Sequence, residues 1–360
     1  MKGGKAFNGC EPVYHMNLRD SFDAPAPALV LAEGAFGTMD GKTANGVVMH
    51  SELFDARAVI DSTHAGNLTS EVLGRPDTRD VPIVSSTGDA LDRAPEAEAL
   101  VIGVAPAGGK LPDEWVEDIE EAIRAGLDIV SGLHVFLSEQ EHWRSLADEH
   151  GVTLFDVRKP PEEDDLRVGD GSVDDADADV VLTAGTDCAV GKRTTTFELY
   201  RAAKRAGLNA GWVATGQTGI MVGAHHGVVI DRVPADFTAG VVEDLVSAVA
   251  EDHDIVFVEG QASLTHRAYS SVTLGVLHGS WPDAVVLVDD PDRENRTHFD
   301  QWPLAGVEAE RHLVEELSDA TVAGVSTWGD PADVEYSVPA ANVYDEGGPE
   351  DLLGMVREAL

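Results

Sequence analysis

The chain has 360 residues, with 65 Asp and Glu against 25 Lys and Arg, for a formal net charge of −40. A surface this negative repels phosphate backbones and anionic headgroups, and no concentrated basic patch offsets it, so nucleic acid and membrane surfaces are excluded as partners. With 43% hydrophobic residues the chain has enough apolar material for two domains of about 150 residues. Acidic residues are spread along its length, which fits a halophilic protein working in concentrated salt, where screening shortens to roughly 3 Å.

Residues 1–26 read as a loosely structured lead-in, interrupted by Gly3, Gly4 and Pro25. Met16 is an alternative start. No apolar h-region precedes Asp20 and no stretch approaches the roughly 18 residues of a membrane span, so a cytoplasmic protein is expected. Short apolar, β-branched runs at 29–32, 58–60, 83–84, 99–104, 129–130 and 153–155 read as buried strands. Between two of them Val116, Ile119, Ile123 and Leu127 recur at helical spacing, behind an N-terminal signal at Pro112-Asp113. Alternating strands and helices predict a Rossmann-like α/β domain over 27–160 with a mainly parallel sheet. Gly34 and Gly37 do not complete a dinucleotide fingerprint. The run Gly37-Thr-Met-Asp-Gly-Lys42-Thr43 is one residue short of P-loop spacing, has no clear helix after it, and reads either as a turn or as a ligand contact.

Residues 161–178 form an acidic linker, and 179–360 restart the alternation as a second α/β domain. Strands are expected at 180–182, 210–214, 255–258, 284–288, 322–325 and 342–344, with helices after Gly191, from Asp236, and over 349–360. Phe237, Val241, Leu245 and Val249, spaced by four, give one of these helices a buried stripe.

The strongest chemical signal lies between the first of these strands and its helix. There Gly185, Thr186, Asp187, Cys188, Ala189, Val190, Gly191, Lys192, Arg193 and Thr194 make a glycine-rich loop. Backbone N–H groups of such a loop and of the new helix converge on an anion, and Lys192 adds a point charge. The spacing resembles the dethiobiotin synthetase branch of P-loop proteins. Arg193 stands where the Mg²⁺-binding hydroxyl residue is usual, and Thr194, rotated by about 100°, does not simply replace it. A diphosphate anchor survives that change more readily than Mg-ATP cleavage. Cys188 reads either as a small packed residue or as a thiol activated by the helix and Lys192, although no His or Asp at adjacent spacing serves it.

A second constellation closes the strand at 255–258. Glu259 falls at its C-terminal end, on the edge where parallel sheets bind ligands, followed by His266 and Arg267. Gly216, Gln217 and Thr218 end a neighbouring strand, where glycine lets backbone approach a ligand. His225-His226 has no metal-ligand spacing and fits a loop. Cys10 and Cys188 lie in unrelated segments, which excludes a disulfide scaffold, and no Cys/His spacing suggests a metal centre.

Several of these segments together resemble a family of two-domain P-loop proteins, first catalogued as a domain of unknown function, whose characterised members are D-glutamate N-acetyltransferases. The match is carried by Lys-Thr-Ala at 42–44 and Ala-Val-Ile-Asp-Ser-Thr at 58–63. In the second domain it is carried by Gly-Thr-Asp-Cys-Ala-Val-Gly-Lys-Arg-Thr-Thr at 185–195, Ala-Thr-Gly-Gln-Thr-Gly-Ile at 214–220, Asp-Phe-Thr-Ala-Gly at 236–240, Glu-Gly-Gln at 259–261 and Val-Thr-Leu-Gly-Val-Leu-His-Gly-Ser at 272–280. The resemblance implies acetyl transfer from acetyl-CoA to the amino group of D-glutamate, a P-loop NTPase-like second domain, and no metal requirement. On that reading Glu259 or His266 is the base, and backbone N–H groups at 216–219 bind the oxyanion. Arg267 or Arg193 pairs with the acceptor's carboxylates. The other expectations are an ATP-dependent ligase or kinase using Mg-ATP, and a non-catalytic nucleotide-binding module. A homo-oligomer is the default assembly.

Overall fold

The computed structural model describes residues 16–75, 78–106 and 110–360. The part of the lead-in before Met16, including Cys10, lies outside the described residues. The first sheet contains β1 (Ala26–Leu31), β2 (Phe54–Ile60), β3 (Ile83–Val84), β4 (Ala99–Ile102), β5 (Asp128–Ser131) and β6 (Leu154–Asp156). All pairings are parallel, in the order β3-β2-β1-β4-β5-β6. This is a Rossmann-like sheet, whose strand order reverses between β1 and β4. Its helices are α1 (Lys42–His50), α2 (Thr69–Leu73), α3 (Thr87–Arg93), α4 (Asp113–Arg124) and α5 (Glu141–His150). The apolar runs are strands because both sheet faces are covered; Leu29, Val30, Leu100, Val101, Ile129 and Val130 are fully buried.

The second domain carries β7 (Asp179–Gly185), β8 (Ala210–Ala214), β9 (His226–Gly227), β10 (Ile255–Glu259), β11 (Ala284–Asp289), β12 (Asn295–Arg296), β13 (Phe299–Pro303), β14 (Thr321–Thr327) and β15 (Ala340–Ala341). Seven of them form a parallel sheet ordered β15-β14-β11-β7-β10-β8-β9, and β12 and β13 make a separate antiparallel ribbon. The helices are α6 (Lys192–Arg205), α7 (Gln217–Val222), α8 (Thr238–Ala250), α9 (Ser270–Ser280), α10 (Val307–Leu317) and α11 (Gly348–Ala359). β7 is central, so the loops leaving β7, β10 and β8 meet at one edge.

Several sequence expectations shift. The lead-in is packed from Met16 onward: Leu18 and Phe22 are buried, the Phe22 ring meets Phe54 edge-on at 5.1 Å, and Met16 N–H bonds to the Gly227 carbonyl at 2.9 Å. The acidic linker is fastened down. Its Val173 is buried, and Arg167 pairs with Glu243 and Asp244 of α8, each at 2.7 Å. The strand expected at 342–344 forms earlier, at β15, and the helix expected from Asp236 begins as a 3₁₀ turn over Ala235–Phe237 before α8. His226 opens β9 instead of sitting in a loop. One apolar cluster runs through both sheets, joining Leu29, Leu53 and Ile102 to Phe197, Tyr200, Trp212 and Met221. Among the described residues no helix is long and apolar enough to cross a membrane.

Candidate functional site

The glycine-rich loop leaves β7 and enters α6 through Gly191, whose φ of 101° is open to glycine and strained for other residues. A Cβ there would also stand 2.7 Å from Trp328 Nε1. Ala189 takes a left-handed φ of 53°, a strain seen where a loop is held for a ligand. Lys192 is buried, and its ammonium donates to the carbonyls of Asp187 at 2.6 Å and Ala262 at 2.9 Å. Burial pulls its pKa down to about 8.

Two arginines absent from the sequence expectation brace the loop from outside. Arg293 donates to the Cys188 carbonyl at 2.7 Å, and Arg296 donates to the Thr186 carbonyl at 3.2 Å and to Ser263 Oγ at 2.9 Å. Asp187 is fully buried. It accepts the Thr297 N–H at 2.7 Å and faces both guanidiniums, and its pKa lies below the usual carboxylate range because these hydrogen bonds and charges outweigh burial. Thr186 Oγ1 donates to Asp289 at 2.7 Å.

Arg193 points away from the loop toward the first domain. Its Nη1 would stand 3.5 Å from a Cβ on Gly46 of α1, and it makes no hydrogen bond or ion pair among the described residues. The run at 37–43, expected to precede no helix, starts α1 at Lys42. Thr43 Oγ1 lies 2.7 Å from Thr218 Oγ1 across the domain boundary, and Arg158 donates to Gln217 Oε1 at 2.6 Å. The first domain therefore packs against α7 and against the Arg193 side chain at the start of α6.

Glu259, at the end of β10, is 6% exposed, and its Oε2 has no hydrogen-bond partner among the described residues. Gly216 and Gly219 lie over it; a Cβ on Gly219 would be 2.6 Å from Oε2. Burial raises the Glu259 pKa to about 7, against the opposing charges of Arg193, Lys192 and Lys42 and a hydrogen bond from the Thr215 backbone. A carboxyl poised near neutrality fits a proton-transfer group.

His266 has a different environment. Its Nδ1 accepts the Ala268 N–H at 3.2 Å, so the neutral ring carries its proton on Nε2, which faces Asp187 at 3.7 Å without a hydrogen bond. Burial and Arg296 keep its pKa below that of a free histidine. With its free lone pair already engaged, this ring is a poorer base than Glu259. Glu310 of α10 anchors its loop by accepting the Leu264 and Thr265 N–H groups at 2.9 and 3.0 Å.

Arg267 is exposed and lies 4.9 Å over the Trp302 ring, on the β12–β13 side, with no contact to Glu259. Cys188 has His266 and Asp187 atoms within 4.8 Å, neighbours invisible in the spacing of the sequence. Burial nevertheless raises its thiol pKa above the ordinary value, opposite to thiolate activation. Asp187 in that group is taken up by Thr297 and two guanidiniums, a field that repels a cation. His225 is a structural acceptor: Trp212 N–H bonds its Nδ1 at 3.0 Å, and burial lowers its pKa to about 3.

Comparison with known proteins follows the same two-part architecture. Residues 62–160 match the family described as Domain of unknown function (DUF1611_N) Rossmann-like domain, and residues 167–351 match Domain of unknown function (DUF1611_C) P-loop domain. A DUF1611 family protein from Anabaena variabilis superposes with a TM-score of 0.81 at 32% identity, over 92% of this chain and 99% of that one. A D-glutamate N-acetyltransferase from Tritonibacter scottomollicae is 36% identical over 65% of this chain and 70% of its own length. Another, from a Pseudoalteromonas species, is 41% identical over 56% of this chain and 58% of its own.

Proposed function

The chain belongs to the DUF1611 family, and from that premise we propose that it is an N-acetyltransferase moving acetyl from acetyl-CoA to the amino group of D-glutamate. The observation that supports the reading is the buried guanidinium of Arg193, which stands in the place of a metal-binding hydroxyl and in the field of the Glu259 carboxyl, and has no hydrogen bond or ion pair among the described residues, beside that carboxyl poised near neutrality. Coenzyme A needs phosphate recognition without Mg²⁺, and the loop from Gly185 to Thr194 offers N–H groups and Lys192 for its diphosphate. The acceptor brings two carboxylates, for which Arg193 is a bidentate partner.

In the reaction the acceptor nitrogen attacks the thioester carbonyl carbon, and Glu259 takes the proton that the ammonium group must lose. The N–H groups around Gly216 and Thr218 would serve as donors for the oxyanion of the tetrahedral intermediate. Its collapse breaks the C–S bond, and the second proton that the nitrogen sheds after attack protonates the departing thiolate. Because α7 lies over Glu259, entry of the acceptor requires that helix to shift from its contacts with Thr43 and Arg158.

The test is thiol release from acetyl-CoA across D- and L-amino acids in molar KCl, with protection from thermal unfolding by CoA measured without Mg²⁺. Release with D-glutamate that falls at least a hundredfold in Glu259→Gln supports the assignment. Protection by ATP only with Mg²⁺, and no thiol release, points to the ligase reading instead.

A further inference from the structure

Beside the phosphate loop stands a pair of aromatic side chains that the acetyl-transfer reading leaves unused. Trp328 follows β14 and Tyr344 follows β15; they are 44% and 49% exposed, and their rings meet at right angles with centroids 6.1 Å apart. Exposed rings of this size in ordinary loops are usually mobile, but here the backbone beneath both is fixed. Trp328 N–H bonds to the Asp289 carbonyl at 3.2 Å, and Asp289 in turn accepts Thr186 Oγ1 of the phosphate loop. Asn342 joins the pair: its amide donates to the Trp328 carbonyl at 3.3 Å, and its Oδ1 accepts the Tyr344 N–H at 2.9 Å. The indole edge reaches the entry of α6, where Trp328 Nε1 stands 2.7 Å from the Cβ position of Gly191. Two partly exposed aromatic rings on hydrogen-bonded backbone thus adjoin the N–H groups of the phosphate loop.

We propose that Trp328, with Tyr344 beside it, is the stacking platform for the adenine ring of the ligand whose phosphates occupy the Gly185–Thr194 loop. A ligand that fills both features has a phosphate and a flat heteroaromatic ring on one short frame, which is the chemistry of an adenine nucleotide. Stacking on an aromatic face needs no hydrogen-bond readout, which suits a site where exposed indole and phenol rings lie at the mouth. Both coenzyme A and ATP carry this group. The proposal rests on the donor reading only in naming coenzyme A as the source.

The experiment titrates the full chain in molar KCl with CoA, with ADP, and with 4′-phosphopantetheine, which keeps a phosphate and the thiol arm but lacks adenosine. Trp328→Leu is expected to weaken CoA and ADP about tenfold and to leave 4′-phosphopantetheine within twofold, while Trp328→Phe stays within threefold for all three. Quenching of indole fluorescence on adding CoA or ADP, lost in Trp328→Phe, provides a readout that does not depend on the leucine variant folding. Equal weakening of all three ligands by Trp328→Leu, or unchanged CoA and ADP binding with no quenching of the wild type, overturns the platform. Wild-type binding of ADP but not CoA, weakened by Trp328→Leu, supports the platform and removes the acetyl-CoA reading. CoA binding that is insensitive to Trp328 does the reverse.

Discussion

Replacing Glu259 by Gln should separate stability from activity, in a way set by the burial of the carboxyl. The folded protein raises its pKa from 4.5 to about 7, worth about 3.5 kcal/mol at roughly 1.4 kcal/mol per pKa unit. For an acid whose folded pKa is raised, the unfolded chain sheds its proton first. Wild-type stability therefore falls as pH rises from about 4.5 to about 7 and is level on either side. Glutamine resembles the protonated acid and has no such window. At pH 5 the variant and wild type should unfold within about 1–2 °C of one another. At pH 8 the variant should be more stable by about 3.5 kcal/mol, about 5 °C for a 360-residue chain whose halves unfold together at roughly 2.1 cal/mol/K of unfolding entropy per residue. Thermal unfolding in molar KCl at the two pH values measures this, since a buried charge is little screened by salt. Activity should move the other way, with kcat of the wild type rising through about pH 7 as the carboxylate forms and kcat of the variant low throughout. A stability difference that is the same at pH 5 and pH 8 would mean that burial does not hold the Glu259 carboxyl protonated.

Other outcomes follow from the same geometry. Arg193→Met, which keeps bulk and removes charge, should raise KM for a dicarboxylate acceptor at least tenfold and change KM for acetyl-CoA much less; equal effects on both substrates would place Arg193 elsewhere. Gly191→Ala meets both a φ of 101° and the Trp328 ring, so it should cost about 1–3 kcal/mol in thermal unfolding and abolish protection by CoA. Cys188→Ser should retain kcat within about threefold in the thiol-release assay, because its thiol pKa is raised; a hundredfold loss would instead indicate an acyl-cysteine. With both proposed substrates anionic and the chain at −40, KM for acetyl-CoA should fall as KCl increases toward molar, and a KM that improves in dilute buffer contradicts this account.

The strands and the phosphate loop were legible because each is written in adjacent residues: unbroken apolar runs covered on both faces, and glycines between a strand and a helix. Helix α1 was not, since Asn45 and Gly46 are poor helix formers. Gly46 is small because Thr218, Val222 and Arg193 of the other domain press on it, a requirement that has no trace in local sequence. The same holds for α9, whose Gly279 lies so close to α8 that a Cβ would be 2.3 Å from the Ala239 carbonyl. Glu259 could be found from its place at a strand end, but its perturbed pKa depends on α7 folding over it. Arg293 and Arg296 stand about a hundred residues beyond the loop they brace, in a segment without periodicity. Arg267 drew attention by following His266, yet its guanidinium stacks outward on Trp302.

The apolar cluster shared by the two sheets bears on how the chain can be divided. A cut near residue 161 follows the break in composition but leaves Trp212, Met221 and Tyr200 without the first domain's half of their packing. A free second domain would therefore present a fresh apolar face and associate or unfold, and the first domain would be left equally incomplete. The seam most easily read in the sequence is thus not a seam in folding: the two halves denature together, and a protease that opens the linker finds a single particle still held by its core.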